Sequence, residues 1–365
     1  MSHNTILHLR TETKPFEHRS ALTPATTKAL IDDGYTVYVE RSPPRIFDDE
    51  EFEKVGAILV PEHSWKEAPK DRIIIGLKEL EVEDFPLVHE HVQFAHCYKN
   101  QFGWEDVLAR FPAGNGTLYD LEFLQDETGR RVAAFGFYAG FAGAALGAWD
   151  WATRQLTGKP LGQVEPFQNE AELIKTIKAD IAKVPGGKVP SAMVIGALGR
   201  CGKGAVDCFQ KLGVADSDIL KWDINETKKG GPFKEALDVD IFVNCIYLTQ
   251  KIAPFLTVDQ INEASDRKLK VIVDVSADFT NPNNPVPVVD RDSTFKDPVY
   301  TANGITGQPI DVVAIDHLPT LLPREASEAF SADLLPSLKE LKNRDSSRVW
   351  TDAKNLFDDF VEKLN

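Results

Sequence analysis

"SAMVIGALGRCGKGAVDCFQKLG" (191–213) runs from apolar residues into a cluster of glycines and then into a helical pattern. A strand that turns through glycine into a helix opens a βαβ unit, which places its strands parallel in one sheet. Gly196, Gly199 and Gly202 are spaced three apart, with Gly204 beyond, a departure from G-x-G-x-x-G. Glycines in such a turn let the backbone approach a pyrophosphate, whose charge meets the helix N-terminus. The turn alone is a weak signal, and Asp223 strengthens it. This acid ends the next strand, "LKWD", 27 residues after Gly196. A carboxylate there accepts hydrogen bonds from a ribose diol and repels a 2′-phosphate, which favours NAD over NADP. The competing reading is a domain of this shape that holds no nucleotide.

Working outward, "ILKWDI" (219–224), "DIFVNCIYL" (240–248) and "KVIVDVSAD" (270–278) read as further strands of the same unit. The first third also alternates strand and helix. "TILHLR" (5–10), "YTVYVE" (35–40), "RIIIGLK" (72–78) and "VQFAH" (92–96) are strands, and "GTLYDLEFL" (116–124) follows them. Continuous apolar runs of this kind suit parallel strands covered on both faces. "LTPATTKALIDDG" (22–34) is a helix with Thr23 as N-cap, Pro24 at its first position and Gly34 as its stop. The expected fold is α/β, with two Rossmann-like, doubly wound domains and a cleft between them. A helix over 136–156 carries Gly136, Gly140, Gly143 and Gly147 on one nearly bare face. Each glycine costs about 1 kcal/mol against alanine in a helix, so close approach of another backbone is the expected reason. This helix reads as the element joining the domains. A helix near 169–183 precedes the second sheet, and the helical C-terminal stretches are expected to return to the first domain.

Length and charge narrow the class. A chain of 365 residues exceeds one ordinary core, so two domains are the natural prior. A net charge of −15 argues against nucleic acid or an anionic membrane as partner, because either needs a basic footprint. The opening residues lack a basic segment followed by an apolar one. Cys97, Cys201, Cys208 and Cys245 lack zinc-ligand spacing, so no metal site is expected and a reducing, cytoplasmic location is. Cys201 in the glycine turn and Cys245 at a strand end fall at one sheet edge. Two free thiols is the simpler reading; a redox pair that blocks the nucleotide is the sharper one.

Lys78 directly follows "RIIIGL", and His96 directly follows "VQFA". Open α/β sheets bind ligands at the carboxyl ends of their strands, so two basic groups at two strand ends face one crevice. A lysine after a strand is commonly solvated and a lone histidine commonly structural. Their pairing at equivalent positions is what points to a site. Histidine titrates near neutrality, and a lysine among other cations loses its proton more easily than in water. Together they can serve two proton transfers. Arg19, Arg130 and Arg131 are the anion candidates, since guanidinium binds carboxylates bidentately.

These stretches, with "LHLRTETKPFEHRSALTP", "PLVHEHVQFAHCYK", "GRRVAAFGFYAGFAGAALG", "VDVSAD" and "IDHLPTLLPREASE", resemble the fungal saccharopine dehydrogenases that form L-lysine with NAD. The resemblance runs nearly the whole chain. It also extends to the wider alanine dehydrogenase–transhydrogenase superfamily. It implies oxidative cleavage of saccharopine by NAD+ and water to L-lysine and 2-oxoglutarate, the last step of the α-aminoadipate route. It makes Lys78 the base for the amine proton and His96 the acid–base group for imine hydrolysis. Arg19, Arg131, Gln101 and Phe135 fall at its substrate positions. Lys99 adds positive potential for a polyanion, while Cys97 and Tyr98 are left as packing residues. Arg130, Gly199, Arg200, Asp223, Thr227, Tyr247, Val275 and Ile315, Asp316, His317 and Leu318 fall at its NAD positions. Ser276, Ala277 and Asp278 lie where substrate and cofactor meet in that family. The implied domains are 1–135 with 321–365 for substrate and 136–320 for NAD, in a monomer. Alanine dehydrogenase is the alternative within the class, though a small monocarboxylate needs fewer arginines. A catalytically dead NAD-binding regulator is the alternative outside it, and intact Lys78, His96 and Asp223 argue against that.

Overall fold

In a computed structural model, which describes residues 5–99, 102–264 and 266–364, the strands form two separate six-stranded sheets. The chain divides into two compact units, one through Ala134 plus the segment from Pro323 onward, the other Phe135–Leu322.

The first unit's strands are β1 (Ile6–Leu9), β2 (Thr36–Glu40), β3 (Ile58–Val60), β4 (Arg72–Ile75), β5 (Glu90–Gln93) and β6 (Thr117–Asp120). They lie in the order β3-β2-β1-β4-β5-β6, all parallel. The order reverses between β1 and β4, and that switch point is where such sheets open a crevice beyond their strand ends. The helix after β1 runs Pro24–Asp32 with the expected cap: Thr23 Oγ1 accepts from the Thr26 amide, and Thr26 Oγ1 accepts from the Thr23 amide. Gly34, past its end, takes φ +91°, a conformation that costs glycine little. The C-terminal helices Pro323–Lys339 and Arg348–Glu362 belong to this unit. Tyr35 Oη donates to the Leu338 carbonyl at 2.9 Å, and Trp350 meets Tyr119 edge-on at 5.4 Å.

The second unit's strands are β7 (Ala192–Ile195), β8 (Ile219–Trp222), β9 (Ile241–Asn244), β10 (Val271–Asp274), β11 (Tyr300–Thr301) and β12 (Asp311–Val313). Their order is β11-β12-β10-β9-β7-β8, parallel except for the edge strand β11. Here the switch point lies between β7 and β9. The glycine-rich helix spans Gly136–Thr157 and packs within this unit. A side chain at Gly140 would run into the Cys201 carbonyl, and one at Gly204 into the Phe137 carbonyl. Two helix backbones therefore touch, as the bare face predicted. Gly143 and Gly147 serve differently, making room for the side chains of Val273, Val275, Leu318 and Ile241.

Strands are shorter than the apolar runs suggest. β4 stops at Ile75 and β5 at Gln93, so Lys78 and His96 each sit third past a strand end rather than directly on one. Cys201 likewise lies in the first turn of the helix Arg200–Lys211, not in the glycine turn before it.

Candidate functional site

In the first unit, the segments after β1, β4, β5 and β6 carry the titratable groups. Lys78 is half-buried. Burial and the nearby Arg19 charge hold its ammonium below the usual lysine range, against the opposing pull of Glu17 and Glu79. His96 takes φ 56°, a left-handed backbone that non-glycine residues rarely adopt. Its loop is held from outside: the Ala95 amide donates to Asp120 Oδ2 at 3.2 Å. His96 Nε2 lies 3.6 Å from Glu79 Oε2. Burial lowers the imidazole below its ordinary value, Glu79 opposes this, and Lys78 pushes the same way as burial. The two groups thus sense each other electrostatically, and both are biased toward their neutral, proton-accepting forms.

Each candidate cation near them has an acidic partner. Arg19 is buried and its Nε and Nη2 donate to the two oxygens of Glu17 at 2.8 and 2.7 Å. Burial alone would raise the Glu17 carboxyl, but Arg19 brings it below the ordinary range. Lys99 donates to Glu122 Oε1 at 2.6 Å, and Arg131 lies 3.7 Å from the same oxygen. Lys14 pairs with Glu79. Asp120 binds the Glu122 amide at 2.9 Å as well as that of Ala95, and burial pushes it up to about 7. Glu17, Glu79, Glu122 and Asp120 carry no role in the sequence reading, and neither does Lys14. The available signal was an acid one or two positions from a candidate cation: Glu79 after Lys78, Glu17 before Arg19. Arg130 is exposed on a turn where its amide donates to Asp126. Gln101 lies outside the described residues. Cys97 and Tyr98 are buried in the core with Phe123 and Phe360.

In the second unit, β7 runs into the glycine turn. Gly196 has φ +84°, and a side chain at Gly202 would collide with the Gly196 carbonyl. Gly199 caps the helix that Arg200 begins. Asp223, half-exposed after β8, accepts from the Leu198 amide at 3.1 Å and from Ile224 at 2.9 Å. One of its oxygens is thereby tied to the glycine turn itself. Thr227 is buried and donates to the Asp223 carbonyl at 2.9 Å. Tyr247 is exposed beyond β9. After β10, Ser276 Oγ donates to Asp274 Oδ1 at 2.7 Å, and Ala277 holds a strained φ of 44° beside Asp278. Val275 packs on the core from that same segment. After β12, Asp316 and His317 face outward while Ile315 and Leu318 are buried in the core, so only the former present side chains outward. Phe135 stands at the N-cap of the glycine-rich helix. A left-handed glycine, a helix start cleared of side chains and a half-exposed acid at the next strand end fit a dinucleotide's pyrophosphate and ribose.

Cys201 and Cys245 meet here. Hydrogen bonding to Cys201, then burial, raises the Cys245 thiol well above its ordinary value. Both are free thiols.

Residues 8–142 match the family "Alanine dehydrogenase/PNT, N-terminal domain", and residues 221–361 match "Alanine dehydrogenase/PNT, C-terminal domain". The fold is that of a solved L-alanine dehydrogenase, at TM-score 0.67 and 15% identity, covering 97% of this chain and 99% of that one. Over 362 residues the chain is 61% identical to the saccharopine dehydrogenase [NAD(+), L-lysine-forming] of Yarrowia lipolytica, with 98% of each covered. Its identity to the Candida albicans protein of that name is 58% over 375 residues, covering 99% of this chain and 98% of that one. With that identity along nearly its whole length, and with both alanine dehydrogenase/PNT domains present, the chain belongs to the fungal NAD+-dependent, L-lysine-forming saccharopine dehydrogenases.

Proposed function

We propose that this protein cleaves saccharopine oxidatively. Saccharopine, NAD+ and water are consumed, and L-lysine, 2-oxoglutarate, NADH and a proton are released. The observation that carries the reading is Lys78 and His96, third past adjacent strands and electrostatically coupled, in a chain 61% identical to an enzyme of that name. NAD+, when bound, supplies the hydride acceptor. Lys78 takes the proton of the substrate's secondary amine, and its lowered affinity for protons makes the neutral amine accessible. The resulting substrate imine is hydrolysed with His96 moving the protons of the attacking water. Arg19, Lys99 and Arg131 meet the substrate carboxylates, with Gln101, Phe135, Ser276, Ala277 and Asp278 completing the substrate positions. Arg130, Gly199, Arg200, Asp223, Thr227, Tyr247, Val275 and the segment Ile315, Asp316, His317, Leu318 hold NAD. A monomer in the cytoplasm is part of the same reading. Among the described residues, no helix is long and apolar enough to cross a membrane.

NADH absorbance followed with saccharopine, with alanine and without substrate tests the assignment. A rise with saccharopine alone is expected; a rise with alanine alone would replace it with an alanine dehydrogenase.

Arg19 connects binding to chemistry. Its charge lowers Lys78, so Arg19→Gln should raise the Lys78 pKa. The neutral base then appears only at higher pH, and the rising limb of kcat/KM should move to higher pH. An unmoved limb would mean that Lys78 does not set it.

Asp223→Ala should weaken NAD binding about tenfold, the order expected for one charge-assisted hydrogen-bonded contact, and reduce discrimination against NADP. Fluorescence titration with NADH and NADPH reads both changes. Unchanged affinity for both would remove the ribose contact.

The two thiols add an oxidation-sensitive element to this reading. Hydrogen peroxide would take two electrons and two protons from Cys201 and Cys245, forming a disulfide and water. Peptide mapping after peroxide should find that link together with weakened NADH binding. Its absence would leave the pair as packing residues.

A further inference from the structure

The Lys78 segment is held by charged groups that the reaction itself does not use. β1 ends at Leu9, and its continuation carries Arg10, 2% exposed, and Glu12, whose side chain is 7% exposed. Glu12 Oε1 accepts from the Leu77 amide at 2.6 Å and Oε2 from the Lys78 amide at 2.9 Å. Arg10 Nη2 donates to the Lys78 carbonyl and lies 3.4 Å from Gln93 Oε1, at the end of β5. Arg10 Nη1 lies 3.4 Å from Glu12. Two further peptide groups are held by β5 and the residue after it: Gly76 donates to the Val92 carbonyl at 3.0 Å, and Phe94 donates to the Leu77 carbonyl at 2.9 Å. A side chain at Gly76 would overlap the Arg10 guanidinium, so that position is cleared for it.

Burying a carboxylate and a guanidinium is costly unless their hydrogen-bonding capacity is used. Here both Glu12 oxygens and one Arg10 nitrogen go to one short stretch of backbone at the switch point of the sheet, while Arg10 Nη1 also donates to the Thr11 carbonyl at 3.1 Å and the buried Nε finds no partner among the described residues. A lysine side chain has four rotatable carbon bonds, so a fixed Nζ position requires a fixed backbone beneath it.

Resting on the function proposed above, we infer that Glu12 and Arg10 are positioning residues for Lys78. Glu12 pins its amide, Arg10 pins its carbonyl, and through Gln93 the same guanidinium ties this segment to the strand that leads to His96. Neither touches substrate in this role; both act through the backbone.

The conservative variant Glu12→Gln keeps one acceptor but turns an amide NH2 toward a backbone N–H. It should lower kcat for saccharopine cleavage at least tenfold, while KM for NAD and NADH binding stay within twofold. The decisive comparison is a double-mutant cycle. In a Lys78→Met background, Glu12→Gln should lower the residual rate less than twofold, because the group it positions is gone. Arg10→Lys, which keeps the charge and loses the fork, should behave in the same way and serves if Glu12→Gln does not fold by thermal melting. A Glu12→Gln rate within twofold of wild type, or losses that multiply with that of Lys78→Met, would overturn the inference. A wild-type protein inactive on saccharopine would instead overturn the proposed function.

Discussion

Lys78→Met should lower saccharopine turnover by about 10²–10⁴-fold, the range for losing a positioned general base. The loss should fall on kcat, with NADH binding unchanged, because Lys78 and the glycine turn at Gly196 belong to different units. His96→Gln should be impaired at a different step. If His96 serves imine hydrolysis, NADH forms in a first turnover and then stalls, giving a burst followed by a slow steady state. Lys78→Met should give no burst. Stopped-flow absorbance separates the two. Identical traces from both variants would mean that the two groups share one step, and wild-type turnover in both would remove them from the mechanism.

Gly204→Val should be the most destabilising single change among those considered. The position faces the Phe137 carbonyl, and across the same contact Gly140 faces that of Cys201. Both obstructions are backbone, so no rotamer change relieves them, and the helices Gly136–Thr157 and Arg200–Lys211 must part. Their parting opens the core around Phe141, Ala144 and Phe209. A cost above about 4 kcal/mol is expected, as for severe core disruption. The second helix also begins at the glycine turn, so NADH affinity should fall with stability. Thermal melting and NADH titration check this. A variant melting within a few degrees of wild type would show that the helices do not need bare glycine at their contact.

Apolar runs made most strands legible, because parallel strands buried on both faces leave little else to write. The Thr23–Pro24 start and Gly34 stop were legible for a similar reason, since helix ends need particular residue types. Several elements escaped, among them β11 and the short helices Asp49–Lys54 and Val258–Glu263. β3 is short and only partly buried, and β12 was lost within a loop-like stretch. The helix Trp104–Gly114 carries Pro112 in its last turn, which masks its pattern. At the candidate site, sequence position singled out Lys78 and His96 as candidates but not the acids around them. Ion pairs such as Lys99–Glu122 depend on where two loops meet, and no local periodicity records that. The left-handed backbone of His96 was equally hidden, because nothing in the residue type announces it.

Oxidative cleavage at a secondary amine fixes the stoichiometry of its three products. Saccharopine and excess NAD+ are incubated with the enzyme, and NADH, L-lysine and 2-oxoglutarate are quantified together. The three products should accumulate in equal amounts, with oxygen from labelled water appearing in the new keto group when label is read before it exchanges. NADH formed without lysine and 2-oxoglutarate would exclude cleavage at the secondary amine.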